Sequence, residues 1–426
     1  MLRERLSRVD QGVWPGLRSR SDIAAILGEF NKGRLTKLIP VKMGRMAVSP
    51  FAFFRGTAPL MAADLAALPV TGLHVQLCGD AHVRNLGAFA APDGHLVFDI
   101  NDFDETVRGP WEWDLKRLAV SVVLAGREAD NSDSVCCDAV KTLTACYRKS
   151  LYLFARLPVI DLAKFEIRRE SSKGVVKQLL HKAERLTPEM TLKKLTESNG
   201  ESWPVFHGKP PVLEHVPAKV RKKILDSLGA YRETLGAGRQ LVFDAYHPHD
   251  VAFKIVGTGS VGTRDYVVLL FGTGPHDPMF LQIKEELPSC YALYILTTVA
   301  GEHQGKRVAQ GQQRIQTASD PFLGWTTIDG AHYLVRQLAD HKASLDPDDL
   351  EGDVLAEYAS VCGEALAKAH ARTGDAIALA AYCGNSNKLD KSITSFAAAY
   401  ADQVTSDYKL FMKAIKAGKI KTRQPA

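Results

Sequence analysis

The chain has 426 residues, 46% hydrophobic and 24% charged, with a net charge of +6. That is ample for a large core in two or three lobes and ordinary for a soluble protein. The mild positive balance suits phosphate-bearing small molecules better than nucleic acid, and no apolar run reaches the length of a membrane span.

The opening MLRERLSRVDQG lacks the apolar core of a signal peptide. The seven cysteines are Cys78, Cys136, Cys137, Cys146, Cys290, Cys362 and Cys383. Their number is odd and they form no CxxC pair, which argues against a disulfide framework or zinc site and for a cytoplasmic location. Cys78 reads as a small buried residue, not a nucleophile.

Residues 1–70 begin with a charged helical segment. PVKMGRMAVSPFAFFRG follows, and its Phe51, Phe53 and Phe54 read as core. Arg45 and Arg55 could approach a phosphate or pack their stems on aromatic rings. MAADLAAL reads as a short helix.

Residues 77–114 carry the strongest chemical signal. GDAHVRN sets Asp80 and Asn85 on one polar loop, and VFDINDFDE holds Asp99, Asp102, Asp104 and Glu105. The apolar runs LHVQL and HLVF read as strands, and APDGH between the blocks reads as a turn. Carboxylates on loops at strand ends suit a hard cation such as Mg²⁺. GPWEWDLKRLAVSVVLAG then shows helical periodicity, with Asp114 in its first turn.

Helices are expected over 138–155 and about 160–195, with a loop or lobe boundary over 197–217. The Lys- and Arg-rich 164–195 stretch lacks aromatic interleaving, so it reads as a solvated face and argues against nucleic-acid binding. VAFKIVGTGSVGTRDYVVLLFG reads as strand, glycine turn, strand, and MFLQIKEEL as a third strand carrying Lys284. With a helix near 291–318 and two strands in GWTTIDGAHYLVRQL, residues 251–338 form a small antiparallel sheet with one helix. Amphipathic helices follow at 349–373 and 391–416.

Gly257, Thr258, Gly259, Ser260, Val261 and Gly262 fit GxGxxG between two strands, not between a strand and a helix. That context resembles the Gly-rich loop of protein kinases, in which backbone N–H groups cradle phosphates. Lys284 resembles the kinase strand lysine. Asp80 and Asn85 resemble the catalytic-loop Asp and Asn, and Asp102 the second metal-binding Asp, with Asp99 as its rival. DFDE followed by Gly-Pro and a helical Asp resembles aminoglycoside phosphotransferases. The kinase order is reversed here, because the Gly-rich loop and lysine come after the catalytic loop. A circular permutation accounts for that, since chain termini often lie close together at the surface.

The resemblance implies an α+β, bilobal, protein-kinase-like fold, circularly permuted, with a small antiparallel-sheet lobe and a larger, mostly helical lobe. Residues 1–70 would pack on the large lobe, 71–240 form it, 241–345 make the small nucleotide-binding lobe, and 346–426 return to the large lobe. It implies an ATP-dependent phosphotransferase using Mg²⁺. Asp80 would be the base, and Asn85 with Asp102 or Asp99 the metal ligands. Gly257 to Gly262 would cradle phosphates with Lys284, and backbone groups at Gln337 and Leu338 would hold adenine. The partners implied are a nucleotide and an unidentified acceptor, more in keeping with a small molecule than a protein. AMP transfer stays open. Two departures stand out: Cys78 replaces the His or Tyr that opens the kinase loop, and Lys284 lacks a clear Glu partner among Glu302, Gln310, Gln312 and Gln316. The alternatives are a metal-dependent phosphoesterase built on Asp80, His82, Asp99, Asp102 and Asp104, and a nucleotide-binding pseudokinase. From GRMAVSPFAFFRG through CGDAH, FDINDFDE, GPWEWDLKRLA, VGTGSVGTR and QIKE to ALAKAHARTGDA, the chain resembles a mainly bacterial family known as domain of unknown function twenty-two fifty-two.

Overall fold

The acid-rich stretch folds as four short strands, His74–Leu77 (β1), Leu86–Ala90 (β2), Leu96–Ile100 (β3) and Val107–Pro110 (β4). β1 pairs antiparallel with β4, and β2 with β3. LGAFA, now β2, carries small residues of low strand propensity, so only its pairing with β3 makes it a strand. The description comes from a computed structural model and covers residues 6–16, 22–168, 174–185, 187–197, 203–209, 213–255, 257, 259–295, 301–338 and 343–423. The protein is α+β, mostly helical with several small antiparallel sheets.

Upstream lie four short helices, Ile23–Phe30 (α1), Ile39–Met46 (α2), Pro50–Gly56 (α3) and Ala58–Ala66 (α4). Ser49 caps α3 by accepting the Ala52 N–H at 3.0 Å, and Pro50 takes the first helical position, where it needs no N–H donor. Phe51, Phe53 and Phe54 are all buried in the main core. Downstream, Trp111–Glu128 (α5) is buried almost all round, and Asp133–Phe154 (α6) packs beside it. The long helical run expected near 160–195 is broken into Val159–Lys164 (α7), the two-residue strand Ile167–Arg168 (β5), Gly174–Glu184 (α8) and Pro188–Leu195 (α9). Pro188 cannot sit inside a helix, and β5 is drawn into pairing with β3.

The second sheet is larger. Thr196–Glu197 (β6) and Val205–Phe206 (β7) form a small ribbon, and Leu213–His215 (β8) then starts a six-stranded sheet. The helices Ala218–Arg232 (α10) and Ala237–Asp244 (α11) precede His247–Lys254 (β9), Asp265–Phe271 (β10) and Pro278–Glu285 (β11). Gln304–Ile315 (α12), Gly324–Ile328 (β12) and Ala331–Gln337 (β13) complete it, in the order β12-β13-β11-β10-β9-β8. One face packs Val251, Phe253, Val268, Leu281 and Ile283 against Ile224, Leu228 and Tyr231 of α10. β8 and α10, both before residue 241, also belong to this sheet. The opposite face is mixed. Val267, Leu269 and Phe280 are apolar there, while Asp265, Gln282 and Lys284 are polar and buried. That polar half turns toward the acid-rich loops.

The chain ends in three helices, Asp353–Thr373 (α13), Ala376–Cys383 (α14) and Lys388–Lys416 (α15). α13 runs along α6, and its last residues reach β1, where the Gln76 N–H donates to Thr373 Oγ1 at 3.1 Å. No described helix is long and apolar enough to cross a membrane.

Candidate active site

The loop between β1 and β2 is anchored from below. Gly79 has φ +89° and its backbone lies against Glu105, so only glycine fits there. Asp114, in the first turn of α5 and fully buried, accepts the N–H groups of Cys78 at 2.8 Å and Gly79 at 3.0 Å. Asn85 closes the loop on itself, its Nδ2 donating to the Asp80 carbonyl at 2.9 Å. These bonds fix the direction of the Asp80 side chain, which keeps access to the cleft.

Asp80 Oδ1 accepts from Arg117 Nε at 2.6 Å. Arg117 is fully buried on α5, stacks its guanidinium over Phe54, and also donates to the Phe54 carbonyl. Burial raises the Asp80 carboxyl to about 6, against the pull of Arg117. His82 lies near it, Nε2 to Oδ2 being 3.7 Å, but burial and three neighbouring arginines keep the imidazole neutral. Cys78 is buried and its thiol is pushed well up by burial and Asp114, so it is no nucleophile.

Lys284 answers the question of its partner. Its Nζ bonds Asp104 Oδ2. Burial works against its charge, yet Asp104, Glu286 and Asp102 around it hold it above the usual lysine range. The acids pay no symmetrical benefit: burial and mutual repulsion raise Asp104, and Glu286 rises further, with its Oε1 left without a partner. One ammonium among three carboxylates explains both directions. None of the four candidates Glu302, Gln310, Gln312 and Gln316 meets Lys284. Instead, α12 contains no acid at all, and it fixes the acidic loop through Arg307, which donates to the carbonyls of Asp104, Thr106 and Leu287. Gln316 donates to the Ile100 carbonyl from just beyond the helix.

The glycine turn meets this group across the cleft. Gly257, Gly259 and Ser260 line one cavity with Asp80, His82, Asn85, Asp102, Asp104 and Glu286. The N-terminal helices hold the turn. Arg34 donates to the Val261 carbonyl at 2.9 Å, the Leu35 N–H to the Gly262 carbonyl at 2.7 Å, and Arg45 to the Gly257 carbonyl. Gly262 has φ +101°, which allows that approach. Thr258 lies outside the described residues.

Two expected groups fall elsewhere. Asp99 is not in the cavity; it sits within β3 and its carboxylate bonds Lys368 of α13, both side chains buried. Asp102, by contrast, does line the cavity. Gln337 and Leu338 lie at the end of β13, but their N–H groups are already engaged, by the Asp320 carboxylate at 2.6 Å and the Phe280 carbonyl at 2.8 Å. They line a separate cavity of about 790 Å³ with Lys254, Gln282, Asn101 and Arg336. The two N–H groups are therefore already bonded within the protein, to Asp320 and Phe280. Arg336 bonds Gln282 and is structural.

Sequence reasoning missed Arg117, Asp104 as the lysine's partner, and the cavity-lining Arg34 and Lys42. The only available signal was the absence of acids in QGKRVAQGQQRI, which forces Lys284 to look elsewhere. The acids and the Asn85 amide suit a divalent cation, and beside them Glu286 Oε1 is buried without a hydrogen-bond partner. Among the described residues, no three His, Cys, Asp or Glu side chains are grouped to hold a metal by themselves. No curated protein and no solved structure matches the chain. The profile of a family described as an uncharacterized protein conserved in bacteria (DUF2252) matches residues 34–414, and the chain belongs to that family.

Proposed function

We propose that the protein is a Mg²⁺-dependent, ATP-using phosphotransferase with a circularly permuted, kinase-like arrangement. The observation that carries this reading is the meeting of Gly257, Gly259 and Ser260 with Asp80, Asn85 and Asp102 on one cavity, with Lys284 bonded to Asp104 of the same lining. Three further features support it. The glycine turn joins β9 to β10 and Lys284 stands on the next strand, β11, of the same six-stranded sheet, with α12 between β11 and β12. Asp114 holds the loop amides before Asp80, and Asn85 holds the Asp80 carbonyl. The end of α13 touches β1, so the join that an unpermuted chain would make covalently is made here by Thr373 and Gln76.

In this reading Asp80 receives the acceptor hydroxyl proton as that oxygen bonds the terminal phosphorus, and the bond from phosphorus to the ADP oxygen breaks. Asn85 and Asp102 would hold the metal, which would neutralise the phosphate charge. Two protein ligands suffice, because Mg²⁺ usually completes its shell with water and substrate phosphates. Lys284 is held charged beside the cavity by Asp104, and in this reading it would turn to the phosphate oxygens. The larger cavity under the sheet has the size of a ligand pocket and offers Asn101 and the Gln337 side chain to a base.

A metal-dependent phosphoesterase fits less well. It would need Asp99, which Lys368 holds, and gives the glycine turn no role. The test is thermal unfolding with ATP and Mg²⁺ together and apart. At about 100 times its Kd a ligand adds ~2.7 kcal/mol of stability. A shift that needs both, and is lost in Asp102→Asn, is expected. A shift with metal alone and none with nucleotide would overturn the reading. Binding without transfer to any acceptor would move it to a pseudokinase.

A further inference from the structure

The cavity carries two populations of charge. Its acids come from the loops after β1 and β3 and from the end of β11, and the acids facing Lys284 and Arg117 are neutralised there. The cations Arg34, Lys42 and Arg55 all come from the N-terminal segment. Among the described residues, none of these three has a carboxylate within ion-pair distance. Lys42 is the sharpest case, because it is only 3% exposed. Other buried lysines have compensation: Lys284 pairs with Asp104, Lys368 with Asp99, and Lys116 lies over the Phe396 ring. Lys42 has only the neutral amide oxygen of Asn31, at 3.2 Å. Burial pulls it well below the usual lysine range, neighbouring Arg34 adds to that, and Glu105 opposes it without reaching ion-pair distance. Beside it, the Nε groups of Arg34 and Arg55 are buried without partners. A buried ammonium without a counter-ion is costly, and an anionic ligand removes the cost.

We propose that Arg34, Lys42 and Arg55 form an anion site for the acceptor, and that the acceptor carries a phosphate monoester beside its reacting hydroxyl. Two guanidinium groups and one ammonium suit a dianion, whereas a single carboxylate needs only one such partner. Arg55 lines the same cavity as Asp80 and Asp102, which sets the site next to the proposed base. The assignment to an acceptor rests on the phosphotransferase reading; the anion site does not.

The experiment measures calorimetric binding of inorganic phosphate, acetate and ATP–Mg²⁺ to wild type and Lys42→Met. Phosphate is expected to bind wild type saturably and acetate at least tenfold more weakly. Lys42→Met should lose phosphate affinity at least tenfold and keep ATP–Mg²⁺ binding. No phosphate binding to wild type, or unchanged binding to Lys42→Met, would overturn the anion site. Equal loss of ATP and phosphate would assign the cations to the nucleotide and overturn the acceptor assignment. Phosphate binding by a wild type that binds no nucleotide would leave the anion site standing and overturn the phosphotransferase reading. Met replaces an uncompensated buried charge, so the variant should fold at least as stably as wild type. Should it fail to fold, Arg55→Met carries the same comparison.

Discussion

Asp99→Asn separates the two acids that compete for the metal role. Asp99 and Lys368 are 8% and 3% exposed at their side chains and bond directly. Asp99 Oδ1 also accepts the Ile100 N–H at 2.8 Å, and the amide oxygen of Asn can keep that bond. The substitution therefore isolates the charge pair. Removing one member leaves the other charged and buried, at a cost of about 3–5 kcal/mol. Replacing both, in Asp99→Asn with Lys368→Met, should recover most of that loss. The assay is urea and thermal unfolding of the four proteins of the cycle, with a coupling of about 3 kcal/mol expected. The same proteins are melted with ATP and Mg²⁺, where Asp99→Asn should keep the ligand-dependent shift. If Asp99→Asn unfolds within roughly 0.5 kcal/mol of wild type but loses the metal-dependent shift, the ion pair is incidental and Asp99 is the ligand. That result would refute the placement argued here.

Asp80→Asn should abolish transfer while leaving nucleotide binding within about twofold, as for a general base. Because a base acts ionised and burial raises Asp80 to about 6, kcat/KM should rise as pH rises through about 6. Arg117→Met removes the cation that opposes this rise, so the midpoint should move up by about one to three pH units; a fixed midpoint would sink the assignment of the base. Lys284→Ala should raise the KM for ATP more than it lowers the melting temperature, and an unfolded variant would favour a structural lysine. Asp114→Ala leaves the Cys78 and Gly79 N–H groups buried without an acceptor, which costs about 2–5 kcal/mol. It should also lower kcat by at least tenfold, and full activity would show that the loop does not need this anchor.

Local chemistry made much of the fold legible. The sheet of residues 251–338 follows from alternating apolar residues, a glycine turn and the DG turn before Ala331, each of which acts over a few residues. The helices α5, α13 and α15 follow from strong periodicity. What failed is what depends on distant partners. β2 is a strand because β3 is beside it. β8 and α10 belong with the small sheet because Leu228 and Tyr231 find apolar surface there, and nothing in KVRKKILDSLGAYR names that surface. The site divides in the same way. Residue types at fixed spacing marked Asp80, Asn85, Asp102 and Lys284, whereas Arg34, Lys42 and Arg117 carry no local motif: Arg34 and Lys42 line the cavity from the N-terminal segment, and Arg117 reaches Asp80 from α5.

Asp99 and Asp102 show where a physical reading of the sequence could have gone further. Both are acids of VFDINDFDE, and spacing alone does not choose between them. The strand period does. In β3, Asp99 stands opposite Gly87 and Ile100 opposite Leu86, so Asp99 lies inside the ladder while Asp102 lies beyond its end. A carboxylate within a buried strand must meet a cation. α13 carries a single lysine, Lys368, in the buried run ALAKAHA. A helix that buries one lysine and a strand that buries one aspartate compensate each other best by packing together, which is what their ion pair does. The acid past the strand end then remains for the cavity.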